Sequence, residues 1–334
     1  MEDTAFSIKA LELNCAKETE KTTKVLRQVV LKRFKKKGVV VAFSGGIDSS
    51  VVGALCVRAF GKERVFGLLM PEADSAPETL ELSRLICDHL QIQAIHEDIT
   101  AILDAVRCYR RRDEAIKSVV PEYGPGYKCK IVLPSVLDDE RYRIFSVVVQ
   151  APDGKQKKVR LTPDAYLGIV AATNFKQRTR KMLEYYHADR LNYAVTGTPN
   201  RQEYDQGFFV KLGDGAADVK PIAHLYKTQV YQMAEFLGVP EEISKRPPTT
   251  DTYSMQQSQE EFYFSVPYDK MDICLYGKNH GVSPDDVAAA AGMTADQVER
   301  VYHDIDAKRK ATRYLHALPL LVENVDEISL GPVK

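Results

Sequence analysis

The chain has 334 residues, 44% of them hydrophobic, enough to bury a sizeable core as one large domain or a main domain with an appendage. Lysine plus arginine and aspartate plus glutamate both number 46, which removes the basic field that would recruit nucleic acid and the acidic excess of a disordered chain, and points to a small-molecule partner. The six cysteines form no C-x-x-C pair, and neither an apolar leader nor a run of eighteen apolar residues occurs, so a cytoplasmic protein with reduced thiols and no membrane span is expected.

Residues Ile8 to Lys37 read as one or two helices, with the cations of Lys32 to Lys37 suiting a helix C-terminus before Gly38. A nucleic-acid arm is the other reading of that run. Val39 to Phe43 then forms a buried strand, Ser44-Gly45-Gly46 a tight turn, and Asp48 to Phe60 a helix closed by Gly61. Such a strand, loop and helix suits an anion: paired glycines let backbone approach a ligand, and the helix aims unpaired N–H groups and its positive end at it. Ser44, Ser49 and Ser50 add hydroxyl donors around Ile47. Asp48 would repel bound phosphate unless a divalent cation lay between them, so it reads as a magnesium ligand.

Further on, Val65 to Met70 and Ile92 to Ile95 read as strands, Pro77 to Leu90 and Ile99 to Arg112 as helices. This alternation implies an α/β fold with a doubly wound parallel sheet and ligands at the carboxyl ends of its strands. Residues 114–161 break the rhythm with a hairpin of Arg143 to Gln150 and Gln156 to Leu161 around Pro152-Asp153-Gly154, approached through a Gly/Pro/Tyr-rich stretch at Tyr123 to Tyr127. A lid, a dimer arm and decoration are all open for it. Thr162 or Asp164 caps a long helix to about Arg190, Tyr193 to Thr196 is another strand, and a long loop runs to Pro221. Tyr226 to Leu237 is helical before the stiff turn Lys245 to Asp251. Two capping boxes, at Ser283 and Thr294, open a C-terminal helical hairpin whose Asp296, Glu299, Asp304 and Asp306 argue against a DNA reader. The expected division is residues 1–37, an α/β part over 38–265 and a helical part over 266–334.

The SGGIDSS stretch resembles the pyrophosphate loop of enzymes that split ATP into AMP and pyrophosphate, and lacks the lysine of G-x-x-x-x-G-K-[ST]. Together with NFKQR (Asn174 to Arg178), GTPNRQE (Gly197 to Glu203), GFFVKLGDGAAD (Gly207 to Asp218), PIAHLYK (Pro221 to Lys227), PPTTD and Lys308-Arg309, it makes the chain similar to ammonia-dependent NAD+ synthetases outside the 114–161 insertion. The resemblance implies adenylation of the carboxylate of deamido-NAD+ by ATP, then displacement of AMP by ammonia. It implies ATP contacts at Ser44, Gly45, Gly46, Ile47, Asp48, Ser49, Ser50, Thr198, Lys227 and Thr249, and magnesium on Asp48 and Glu203. It further implies dinucleotide contacts at Arg178, Lys211, Asp218 and Lys308, catalytic parts for Asp48 and Lys227, and ammonia positioned by Asp214. A homodimer follows from the same resemblance, with ammonia free or from a separate glutaminase, since no glutaminase segment precedes the first strand.

Read without the resemblance, Arg178 belongs to a solvated stripe with Lys176, Arg180 and Lys181, and Lys211 and Asp218 could pair with each other. Two departures from the family pattern stand on the acid side. Aromatic residues at 262–264 replace a glutamate and a glycine, and Ala307-Lys308 replaces a His-Lys pair. An amide ligase acting on a different carboxylic acid, or a non-catalytic nucleotide sensor, are the alternatives those changes raise.

Overall fold

The computed structural model describes residues 6–137, 144–247, 249, 252–323 and 325. Helix α1 (Cys15–Leu26) widens into a π-type helix over Arg27–Arg33 and delivers the chain to β1 (Val39–Ala42). There follow α2 (Ile47–Phe60), β2 (Val65–Leu69), α3 (Pro77–His89), β3 (Gln93–His96), α4 (Thr100–Ala105) and α5 (Cys108–Lys117). β4 (Lys128–Val132), β5 (Ser146–Gln150) and β6 (Gln156–Arg160) precede the 29-residue α6 (Pro163–Leu191) and β7 (Ala194–Val195). The remainder is helical: α7 (Arg201–Gln206), α8 (Lys227–Leu237), α9 (Glu241–Ser244), α10 (Tyr268–Asn279), α11 (Pro284–Ala291) and α12 (Ala295–His316).

The parallel sheet has the order β3-β2-β1-β7. Alternation along β1 explains its two covered faces. Val39 and Val41 pack with α1, α2 and α8, whereas Val40 packs with Phe66, Leu68 and residues of α4, α5 and α6. The chain winds outward from β1 through β2 to β3, then returns to place β7 on the other side of β1. That reversal is the point at which open α/β sheets bind ligands. Among the described residues no helix is long and apolar enough to cross a membrane. All six cysteines are free thiols, and burial pushes Cys56 and Cys87 up to about 12.

Several elements differ from the sequence expectation. The single helix over Ile99 to Arg112 is two, because Arg107 takes a left-handed φ of 58° between α4 and α5. The expected hairpin is a three-stranded antiparallel sheet, β4-β5-β6, with β4 drawn from residues just after its approach; Arg143, its expected first residue, lies outside the described residues. The long loop before Pro221 contains α7, opened by a reciprocal capping box between Asn200 and Glu203. At Ser283 the hydroxyl caps Asp286 N–H, but the Asp286 carboxylate takes that hydroxyl at 2.6 Å instead of closing a box onto backbone; Thr294 and Gln297 do form one. Glu260–Phe264 forms a further π-type turn, α10 opens the part expected to be helical, and both pack with Leu11, Val298, Val301 and Ile305 in a second core.

The turn between β1 and α2 carries a tight backbone constraint. Gly45 sits at φ +70°, and a Cβ there would lie 2.8 Å from the Thr79 carbonyl oxygen and 2.9 Å from Leu82 Cβ. Gly45→Ala should therefore destabilise the fold by about 1–3 kcal/mol in denaturant unfolding. An unchanged midpoint would show that the turn relaxes freely.

Candidate functional site

Three chain segments meet at the carboxyl edge of β1 and β7. The first is the turn into α2. Gly46 occupies the cap position of that helix and has no side chain to satisfy its first-turn N–H groups, which leaves the helix N-terminus open to an acceptor. Ser44 is exposed at its mouth. Ser49 and Ser50 are buried, and both donate to the Gly46 carbonyl, at 3.0 and 2.9 Å. Ser49 Oγ also accepts the Ser44 N–H at 3.3 Å, so it braces the turn from within, while the Ile47 side chain enters the core.

The second segment follows β7. Thr198 is half-buried there, and Asn200 then caps α7: its Oδ1 accepts the Glu203 N–H at 3.2 Å while Glu203 Oε2 accepts the Asn200 N–H at 3.1 Å. Asn200 Nδ2 donates to Asp48 Oδ1 at 3.0 Å, so one buried residue links the two carboxylates, by its side chain to Asp48 and by its backbone N–H to Glu203. The third segment brings Lys227, 2% exposed, to the first position of α8, where its ammonium donates to Asp48 Oδ2. Asp272 of α10 caps α8 from a distance, accepting the Lys227 N–H at 3.2 Å, the Thr228 N–H at 2.6 Å and Gln202 Nε2 at 2.6 Å. Burial pushes Asp272 up to about 6 despite these bonds.

The electrostatics of this cluster are those of an unsatisfied anion pair. Burial, then the neighbouring Asp48 charge, pushes Glu203 up to about 8. Burial opposes the charge of Lys227, but Asp48 and Glu203 outweigh it and hold the ammonium above its usual value. Two hard carboxylate oxygens whose mutual repulsion exceeds what one lysine answers fit a divalent cation that takes its remaining ligands from phosphate and water. Among the described residues no group of three or more His, Cys, Asp or Glu could hold a metal by itself.

The remaining sequence-predicted residues lie outside this carboxylate and lysine cluster. Asp214 Oδ1 accepts the Val210 N–H at 2.8 Å, and burial raises its carboxyl. Arg178 is exposed on α6 and donates to the Lys211 carbonyl at 3.3 Å. Lys211 donates to the Tyr314 carbonyl at 3.0 Å and lies over that ring at 3.9 Å. Asp218 takes the Val195 N–H at 2.7 Å, so Lys211 and Asp218 are each engaged elsewhere. Lys308 pairs with Asp304 at 2.7 Å and faces the Tyr263 ring. Thr249 is exposed and bridges to Ser258; Pro248, Thr250 and Asp251 of the same motif lie outside the described residues.

Asn200, Asp272 and Gln259 were not singled out from sequence. Gln259 Nε2 donates to Glu203 Oε1 at 3.0 Å. An N-x-x-E signature marks Asn200 as a cap, but nothing local announces the other two.

The NAD synthase family model matches residues 18–120 and 151–313. The NH(3)-dependent NAD(+) synthetase of Rhizobium meliloti (strain 1021) is 60% identical, over 97% of this chain and 96% of its own. That of Mesorhizobium japonicum is 61% identical, over 95% and 99%. Among solved structures, an NMN synthetase from Francisella tularensis shares the fold with a TM-score of 0.63 at 20% identity, covering 93% of this chain and 99% of its own. The NH3-dependent NAD synthetase from Campylobacter jejuni does so with a TM-score of 0.60 at 23% identity, over 93% and 100%.

A carboxyl raised from 4.5 to about 8 binds its proton more tightly in the folded state, so its stabilising share is present below the unfolded value and lost as pH rises toward 8. The metal-free protein should lose several degrees of melting temperature from about pH 5 to about pH 8, and Glu203→Gln should flatten that fall. Parallel melting profiles for the two proteins would contradict the strained pair.

Proposed function

The chain belongs to the NAD synthase family, and from that premise we propose that it joins ammonia to the nicotinate carboxylate of deamido-NAD+, using ATP and releasing AMP and pyrophosphate. The observation that carries the reading is the meeting of Asp48, Glu203 and Lys227 beside the open N-terminus of α2. A carboxylate is a poor electrophile, and attack of its oxygen on the α-phosphorus, with release of pyrophosphate, turns AMP into its leaving group. Ammonia then adds to the acyl carbon, loses a proton and expels AMP.

The β and γ phosphates would lie on the Ser44 to Ser49 turn, where backbone N–H groups and the helix dipole meet them without reorganisation. Lys227 would leave its ion pair with Asp48 for the oxygens between the α and β phosphorus, where negative charge grows as that bond breaks. Asp48 and Glu203 would hold magnesium, which supplies positive charge to the triphosphate when bound. Thr198, on the same edge, and Thr249 would contact the nucleotide. Arg178, Lys211, Asp218 and Lys308 would contact the acid, and Asp214 would orient ammonia.

Self-association is part of the reading. The outer face of α6 carries Leu167, Met182 and Tyr186 at 61%, 55% and 60% exposure, in one row with Arg178. An apolar row of this kind suits a second copy of the chain, whose docking would place Arg178 at the joint.

Incubation with ATP, magnesium, ammonia and deamido-NAD+ should yield NAD+ with AMP and pyrophosphate in equal amounts, and formation of ADP would overturn the reaction. Lys227→Ala should lower turnover by about 10²-fold while weakening ATP binding less than about tenfold; equal losses would deny it a transition-state role. Replacing Met182 and Tyr186 by Asp should give a monomer in sedimentation analysis, and an unchanged species would move the joint elsewhere.

A further inference from the structure

The family match passes over residues 121–150, and these hold β4 and β5 of the inserted sheet. One edge of β4 pairs with β5. Its other edge is not left to solvent. Cys129 N–H donates to Ser254 Oγ at 3.0 Å, and the Cys129 carbonyl accepts the Met255 N–H at 3.1 Å. The Gln257 amide donates to the Ile131 carbonyl, and Leu133 N–H donates to the Glu261 carbonyl at 3.3 Å. Ser135 Oγ reaches the Ser265 carbonyl at 3.1 Å, and Lys130 pairs with Glu261 at 2.7 Å. The partners ascend together along both segments, so the seam is continuous from residue 254 to residue 265. Tyr253 is buried in the core of the insert, and Lys176 donates to the Thr252 carbonyl at 2.8 Å, which fixes the near end.

This fastened segment is the one that carries Gln259 to Glu203. Glu203 needs such a partner, because its carboxylate stands beside Asp48 and is held on its own helix only by the Asn200 box. We propose that the inserted sheet is a brace for residues 252–265, and that Gln259 is a positioning residue which fixes the Glu203 carboxylate for its metal before substrate arrives. The proposal rests on the metal-dependent reading of Asp48 and Glu203. It gives the insertion a place in the reaction through the 252–265 segment, where a lid would act by closing and decoration would not act at all. The seam also covers the β4 edge of the added sheet, which closes that edge to pairing with other chains.

Two variants and two readouts test it. Lys130→Ala with Ser254→Ala loosens the seam, and amides of residues 252–262 should exchange about tenfold faster in the substrate-free protein. The magnesium concentration that half-saturates the ATP-dependent thermal shift should rise by about tenfold in the same protein. Gln259→Ala leaves the seam intact, so exchange should stay as in the wild type while the magnesium requirement rises to the same degree. Unchanged exchange in the double variant would remove the brace, and an unchanged magnesium requirement in Gln259→Ala would remove the positioning role. Neither readout uses deamido-NAD+, so a wrong acid substrate would appear only in wild-type product analysis and would leave this comparison standing.

Discussion

Two carboxylates, Asp48 and Glu203, stand within each other's field at the edge of a parallel sheet, and much of the structure either brings them there or answers their repulsion. Each begins a helix, and the two helices converge because β1 and β7 are neighbours. Lys227 supplies the one cation in direct contact among the described residues, and Asn200 spans the pair with its side-chain amide on Asp48 and its backbone N–H on Glu203. A buried ion pair of this kind adds little net stability, since removing the charges from water offsets most of their attraction. Its retention is explained by what the arrangement can hold.

A third wall is formed by residues 252–265, and here the departures from the family pattern acquire a structural account. Tyr263 and Phe264 belong to the aromatic run that replaces a glutamate and a glycine, and the Lys308 ammonium lies over their rings at 4.8 and 5.7 Å. Tyr263 also stacks on Phe208 at 4.7 Å, and its hydroxyl donates to the Gln206 carbonyl at the end of α7 at 2.7 Å. The aromatic substitutions therefore build a cation and ring layer between α12 and α7. The retained Lys308 rests on this layer, one residue after Ala307.

The strand, turn and helix around Ser44 were legible because all their determinants are local: an apolar run, two glycines and a helical period. The parallel alternation was legible for the same reason. Helix α7 was missed because six residues give too little periodicity, although its capping box is written in Asn200 and Glu203. Strand β4 was missed because its alternation, with Cys129 and Ile131 inward and lysines between them, is short and follows a Gly/Pro/Tyr-rich stretch. The break at Arg107 has no glycine to announce it. What no local pattern could reveal is Asp272 capping α8 from 44 and 45 residues away, or Gln259 reaching Glu203 across 56.

The position of Glu203 depends finally on a strand of two residues. A pairing as short as β7 on β1 contributes few backbone bonds, so side chains must complete it. Thr196 Oγ1 donates to the Val40 carbonyl at 2.9 Å, and Asp218 takes the Val195 N–H at 2.7 Å from the far side. Asp218 is thus a fastening of β7, the strand that leads to Asn200 and Glu203. The strand that Asp218 fastens is joined to Asn200 and Glu203 by covalent chain only a few residues long, so the anchoring of β7 and the geometry of the carboxylate pair are set together.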